Sequence, residues 1–264
     1  MRQVFHNTQR LSVRKMVSGL LACSLAVLLV GCAGIKPADE PQPAPTSTPV
    51  STSPNVAWTP GQQWAHQKLP GKKSTHYSAV MLDGRSAMLA YSQSAASMLR
   101  QKLHIAAADL SSVKFSWKVP HLIDTADMAV RETEDSPVRI VLAFEGDRSR
   151  LSAKYQMMSE LAHTLTGEPL PYATLMYVWC NTREPGSVIV NPRTDRIRKI
   201  VLEKGMKNLN QWRDYERDIK ADYQRAFGEA PGALIGVALM TDSDNTHSQA
   251  RSWYGPVQFV TSKK

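Results

Sequence analysis

Apolar and polar side chains alternate along two stretches of this sequence, a pattern that predicts strands with one buried face. The segment 114–119 places two aromatic residues and a valine on one face, and two lysines with a serine on the other. The segment 138–144 is apolar at every second residue, and Arg139 lies on the opposite face. Both segments therefore predict strands that border a hydrophobic core.

Two further segments, Ala173–Cys180 and Leu234–Met240, are apolar on both faces, which predicts central strands that are covered on both sides. The dipeptide Asp83-Gly84 separates two other apolar runs, and Asp-Gly in that position predicts a tight β-hairpin. Strands are predicted in Tyr77–Leu82, Ser86–Ser92, Ile197–Leu202, the neighbourhood of Trp212, and Val257–Val260.

Two segments show the three- and four-residue spacing of amphipathic helices, and each is followed by a glycine that can end a helix. The apolar positions are Leu151, Tyr155, Met158, Ala162 and Leu165 before Gly167, and Ile219, Tyr223, Ala226 and Phe227 before Gly228. Many strands with two helical insertions predict a mainly β domain over residues 61–264, an antiparallel β-sandwich or jelly roll.

Residues 1–31 resemble the signal peptide of a bacterial lipoprotein. This segment has four basic residues and no acidic one, and its run Met16–Val30 is apolar or small throughout. Cleavage after Gly31 would leave Cys32 as the lipidated first residue. The alternative is a transmembrane anchor, which the length of the run disfavours because a spanning helix needs about 20 apolar residues.

Residues 32–60 contain the lipidated cysteine and a segment rich in Pro, Ala, Ser and Thr. Such a composition cannot bury a core and predicts a semi-rigid tether in the polyproline II conformation. Ala33 follows the cysteine, and by resemblance to enterobacterial lipoproteins this implies the outer membrane, with the domain facing the periplasm of the cell envelope.

Removal of the leader lowers both the net positive charge of the chain and the number of its cysteines. The chain has 32 basic and 23 acidic residues, and without the four basic residues of the leader 28 remain against 23. This modest excess allows contact with anionic lipid, while the predicted compartment argues against nucleic acid. Cys23 is lost with the leader and Cys32 carries lipid, so Cys180 is expected to be a free, buried thiol.

The C-terminal part of the chain combines a buried strand, the acidic turn 241–246 and the aromatic run Trp253–Phe259. Together with four other motifs, it resembles a family of exported bacterial proteins catalogued as domain of unknown function 3047. Those motifs are Phe115–Val119, Asp135–Ile140, Tyr177–Trp179, and Asp222-Tyr223 with Phe227-Gly228. The resemblance covers about Trp64 to Phe259 and implies a sandwich similar to concanavalin-like and carbohydrate-binding folds, without an established activity.

Asp242, Asp244 and Thr246 alternate along the acidic turn, so their oxygens can face one hard cation such as a structural Ca²⁺. The glycine and the distal glutamate of an EF-hand loop are absent. The alternative is a turn in which the carboxylates accept backbone N–H groups. No other cofactor is predicted.

Aromatic residues supply the second candidate site. Trp253, Tyr254 and Trp179 would stack on sugar rings if they are exposed on a sheet, and they belong to the core otherwise. The acidic loop with Glu132, Glu134 and Asp135 supplies the third, since paired carboxyl groups hydrolyse glycosides. A solvated acidic turn with Arg139 as its partner is the alternative.

Three functions remain open at this point. The first is a lipid-anchored, non-catalytic protein that binds a saccharide or another envelope component. The second is an envelope glycan hydrolase whose catalysts lie in 132–135 or 242–244. The third is a structural or assembly lipoprotein that binds another protein. A groove with exposed aromatics favours the first, two facing carboxylates favour the second, and a flat apolar patch favours the third.

Overall fold

The computed structural model describes residues 63–262. The predicted signal peptide, Cys32 and the predicted tether lie outside the described residues. Within residues 63–262 no helix is long and apolar enough to cross a membrane.

The described residues form a mainly β domain with thirteen strands and two α-helices. The strands are β1 (Ala65–Lys68), β2 (His76–Leu82), β3 (Arg85–Gln93), β4 (Ser97–Ile105), β5 (Leu110–Lys118), β6 (Ser136–Phe144), β7 (Ala173–Cys180), β8 (Val188–Asn191), β9 (Thr194–Lys204), β10 (Arg213–Asp218), β11 (Leu234–Asp242), β12 (Gln249–Tyr254) and β13 (Gln258–Thr261). The helices are α1 (Ala153–Thr166) and α2 (Ile219–Phe227).

The strands form two sheets. The seven-stranded sheet has the order β1-β4-β11-β6-β7-β9-β8, and the six-stranded sheet has the order β10-β5-β12-β3-β2 with β13 beside β5. Neighbours are antiparallel, apart from the parallel pair β7 and β9. The two sheets share one core, to which β5 contributes Phe115 and Trp117 and β6 contributes Ile140 and Phe144. The predicted β-sandwich is confirmed.

A second, smaller apolar cluster covers the outer face of the seven-stranded sheet. Val141, Met176, Val178 and Val201 project there, and Met128 packs on them from the loop between β5 and β6. All eight residues of β7 are therefore buried, because one face meets the main core and the other meets this cluster. Cys180 is buried at the end of β7 and is free, as predicted.

The predicted turns and helix ends are also confirmed. Asp83 and Gly84 adopt the positive φ angles of 51° and 74° that a tight hairpin turn requires. The helices α1 and α2 end at Gly167 and Gly228, whose left-handed conformation a side chain would strain. One helix prediction is wrong: Leu165 belongs to the apolar stripe of α1 but is 60% exposed.

Candidate functional site

A buried ion pair joins β6 to β11 on the outer face of the seven-stranded sheet. Arg139 lies on the face opposite to the core residue Ile140, and Asp242 ends β11. The guanidinium of Arg139 donates from Nε to Oδ1 of Asp242 at 2.9 Å and from Nη2 to Oδ2 at 2.7 Å. Both side chains are buried, so the attraction and the hydrogen bonds between them offset the hydration that each charge has lost.

Glu134 extends this network toward β8 and β9. Its carboxylate lies 2.7 Å from Nζ of Lys199 and accepts a hydrogen bond of 2.6 Å from Asn191 and one of 2.5 Å from Arg193. The Lys199 ammonium also donates to the carbonyl oxygen of Met128 at 3.0 Å. The prediction of a solvated acidic turn is therefore wrong for Glu134 and Asp135, which are both buried, and it holds for the exposed Glu132.

Asp135 binds the acidic turn. Its carboxylate accepts hydrogen bonds from the backbone N–H of Thr246 at 2.7 Å and from the Thr246 hydroxyl at 2.6 Å. Asp244 pairs with Lys72 instead. Carboxylate oxygens of Asp135, Asp242 and Asp244 lie within 4.8 Å of one another. The structure thus brings two of the three predicted cation ligands together with Asp135, while Thr246 hydrogen-bonds to Asp135; the cation itself stays a prediction.

Burial shifts the pKa values of two groups in this network, Asp242 and Lys199, toward neutral pH. Burial raises the pKa of Asp242 to about 7, against the opposing charge of Arg139. Burial also lowers the pKa of Lys199 to about 8, against the stabilising charge of Glu134. Shifted values of this kind occur at catalytic sites and in structural networks alike. Here Glu134, Asp135 and Asp242 are each engaged by a protein donor, so the network connects loops to the sheet.

Two of the three predicted stacking residues are in the core. Trp179 is buried and donates from its indole to the carbonyl oxygen of Gly205 at 2.9 Å. Tyr254 is buried and its hydroxyl lies 2.8 Å from that of Thr241. The prediction that these two side chains stack on a sugar is wrong, because the strand alternation turns both toward other protein groups.

Trp253 has a different position, on the outer face of the six-stranded sheet. It precedes the buried Tyr254 in β12, so its side chain projects away from the core, and it is partly exposed. Its partners across the sheet are Leu89 in β3 and Lys118 in β5. The face that Trp253 occupies therefore offers an indole beside a cationic side chain.

A second tryptophan lies on the same outer face. Trp212 immediately precedes β10 and donates from its indole to Asp83 at 3.1 Å, and the ammonium of Lys118 donates to the same carboxylate at 2.7 Å. The guanidinium of Arg85 lies 5.2 Å from the centre of the Trp212 ring and donates to Asp214 at 2.7 Å. The sequence pattern did not identify Trp212 as a site residue. The signal in the sequence was its place before the segment 213–218, in which every second residue is acidic.

An open cleft of about 570 Å³ lies next to these side chains. Asp214 and Glu216 of β10, Ser116 of β5 and the connection at Gly255 line it. A Cβ at Gly255 would overlap the Ser116 hydroxyl, so the glycine allows the chain to approach β5 closely at this point, where the Gly255 N–H donates to the carbonyl oxygen of Ser116 at 2.9 Å. We call Trp253, Trp212, Lys118, Arg85, Asp83 and the residues of this cleft the tryptophan face.

The chain was compared with family models, curated proteins and solved structures. A family model described as "Protein of unknown function (DUF3047)" matches residues 62–258. A search of curated proteins finds no match. Among solved structures, the chain is similar to the xyloglucanase domain of NopAA, a type three effector from Sinorhizobium fredii in complex with cellobiose. That similarity has 6% identity and a TM-score of 0.42, and it covers 80% of this chain and 100% of that chain.

Proposed function

The chain belongs to the DUF3047 family of proteins of unknown function, and we propose that its domain is a non-catalytic module that binds a saccharide of the cell envelope through the tryptophan face. One observation carries this proposal: Trp253 and Trp212 are partly exposed on the same sheet face, on the two sides of the β5 residue Lys118. Indole rings provide large, rigid surfaces for the apolar faces of a ligand.

The polar groups around the two indoles suit the hydroxyl groups of a sugar. Lys118 and Arg85 supply donors, and Asp83 and Asp214 supply acceptors. These four charges balance one another, which favours a neutral glycan over a strongly charged one. The adjacent cleft of about 570 Å³ lies within the range of about 300–1,000 Å³ that is typical of small-molecule sites.

Lipidation of Cys32 would hold this module at the membrane of the cell envelope. The basic leader, the apolar run and the Gly31-Cys32 junction support the anchor. A polyproline II tether extends by about 3.1 Å per residue, so residues 33–60 would let the domain reach glycans at some distance from the lipid. Acylation of Cys32 with more than one chain would make the attachment stable.

A second candidate, an envelope glycan hydrolase, is favoured by two carboxylates of the cleft. Asp214 and Glu216 occupy alternate positions of β10, so both project from one face, about 7 Å apart along the strand. Glycoside hydrolysis uses carboxyl groups about 5–10 Å apart. Arg85 pairs with Asp214 and Lys114 lies 3.4 Å from Glu216. Because both carboxylates are paired with cations, we rank binding without turnover first.

One experiment tests the proposal against this alternative. The chain from Ala33 onward, which contains every described residue, is applied to an array of neutral oligosaccharides, with the charged peptidoglycan fragments and lipopolysaccharide core oligosaccharides beside them. The glycans that bind are then titrated by calorimetry and assayed for new reducing ends. We expect binding without turnover, and a loss of at least about tenfold in affinity for Trp253→Ala. Met206→Ala, at a residue that is 76% exposed outside the tryptophan face, is the matched control.

The opposite results would contradict the proposal. Full affinity in Trp253→Ala would remove the tryptophan face as the binding surface. Release of reducing ends that Asp214→Asn and Glu216→Gln abolish would establish the hydrolase instead.

A further inference from the structure

Helix α1 exposes an apolar stripe along its length. Met157, Leu161 and Leu165 follow one another at four-residue intervals and are 68%, 59% and 60% exposed. Residues at this spacing lie above one another on a helix, so the three side chains form one continuous patch. Large apolar side chains grouped in this way mark an interaction surface more often than singly exposed ones do.

The opposite side of α1 is fixed to the domain. Tyr155 and Ser159 are buried. The Tyr155 hydroxyl donates to the carbonyl oxygen of Pro171 at 2.7 Å, and Arg148 donates to the Ser159 hydroxyl at 2.6 Å. Tyr155 also belongs to the main core, so this side of the helix faces the domain and the stripe faces away from it.

The stripe ends near the point where the chain enters the domain. Glu168, which follows the cap residue Gly167, accepts a hydrogen bond of 2.7 Å from Arg100. Arg100 is the cross-strand partner of Ala65, the first residue of β1. The strand β1 thus lies at the rim of the domain that holds the C-terminal end of α1.

Cationic side chains lie at both ends of the stripe. Lys154 is exposed on the same face of α1, three residues before Met157. At the other end, Lys102 is 70% exposed and binds Glu168. Arg100 binds the same carboxylate, so the two cations together neutralise its charge. Lysine beside apolar side chains is the combination with which surface helices bind anionic lipid headgroups.

We propose that the Met157–Leu161–Leu165 stripe is a membrane-contact face that lies on the anionic bilayer to which the chain is anchored. This inference rests on the proposed lipidation of Cys32, which would keep the domain within reach of the bilayer. A second copy of the chain is a weaker occupant. Three side chains per protomer bury far less than the roughly 1,200–2,000 Å² of a stable protein interface.

The test uses the chain from Ala33 onward, which lacks the lipidated cysteine, so that any vesicle binding comes from the domain and its tether. It is sedimented with vesicles of phosphatidylethanolamine and phosphatidylglycerol, and with phosphatidylcholine alone. We expect binding to the anionic vesicles that Met157→Ser/Leu161→Ser/Leu165→Ser reduces several-fold. Lys154→Glu should reduce it as well, and the matched control Met206→Ser should leave it unchanged. Thermal melting verifies that each variant is folded.

Two results would overturn the inference. One is vesicle binding that is absent or that the triple variant retains. The other is self-association in sedimentation velocity that the triple variant abolishes, because the occupant would then be a second copy. Acyl labelling of the full chain and of Cys32→Ala tests the anchor separately, and glycan titration of the triple variant tests the tryptophan face separately. Failure of this inference is therefore distinguishable from failure of the proposed function.

Discussion

The guanidinium of Arg139 binds the carboxylate of Asp242 through two hydrogen bonds, of 2.9 and 2.7 Å, across the adjacent strands β6 and β11. Arg139 also donates to the carbonyl oxygen of Glu134 at 2.9 Å, and Asp242 accepts from the backbone N–H of Ser136. This one pair therefore joins the central strands of the seven-stranded sheet to the loop that precedes β6. Its role is to hold that loop in place, and the proposed glycan site lies on the opposite sheet.

Asp242→Asn should lower the free energy of unfolding by about 3–5 kcal/mol, because the buried Arg139 loses the carboxylate to which it is hydrogen-bonded and keeps only Glu134, at 3.7 Å. Urea denaturation measures the loss. The double variant Arg139→Met/Asp242→Leu removes both charges and should be more stable than Asp242→Asn alone. Exposed ion pairs contribute less than about 1 kcal/mol to stability. A loss as small as this in Asp242→Asn would contradict the structural role of the pair.

Lys199 gives a prediction on the dependence of stability on pH. Burial lowers its pKa from the ordinary 10.5 to about 8. Between these values the unfolded chain binds a proton that the folded chain does not, so this residue makes the free energy of unfolding rise with pH, by up to about 1.4 kcal/mol per unit. Below the folded pKa the contribution is constant.

The comparison of wild type with Lys199→Met isolates this contribution. Denaturation at a series of pH values from neutral to about 10 should show the wild type gaining stability relative to the variant within that window. Lys73→Met, at an exposed lysine, serves as the matched control and should follow the wild type. If the difference between the wild type and Lys199→Met does not change with pH, then Lys199 is not buried as the structure places it.

The three clustered carboxylates give a prediction on metal removal. Arg139 neutralises Asp242, Lys72 neutralises Asp244, and Thr246 binds Asp135, so we expect the same melting temperature in EDTA and in Ca²⁺. A rise in Ca²⁺ that Asp244→Asn abolishes would show instead that the predicted cation binds here. Mg²⁺ at the same concentration is the control for ionic strength.

The apolar pattern predicted the sandwich well where the residues of a single segment are enough to indicate which faces of the strand are buried. The segments Ala173–Cys180 and Leu234–Met240 are apolar on both faces, and both are central strands with cover on both sides. By contrast β4 was not predicted, because Gln101 interrupts the apolar face that Leu99 and Leu103 form.

The candidate site could be predicted only in part, because its geometry depends on contacts between distant segments. Glu134 has the sequence context of a solvated loop, and its burial comes from Lys199, 65 positions later. Trp253 and Tyr254 are adjacent and chemically alike, yet the alternation of β12 exposes one and buries the other. Trp212 becomes a candidate site residue only through its contacts with Asp83 and Arg85, which the hairpin of β2 and β3 places beside it although they are distant in sequence.

The most direct test of saccharide binding at the tryptophan face is an NMR titration of the indole N–H groups, with the glycan that binds most strongly on the array. The chain has six tryptophans, and Trp64, Trp117 and Trp179 are buried. We predict that the signals of Trp253 and Trp212 shift as glycan is added, and that those of the three buried indoles do not. Shifts confined to other residues, or saturation with the Trp253 signal unchanged, would contradict the proposed site.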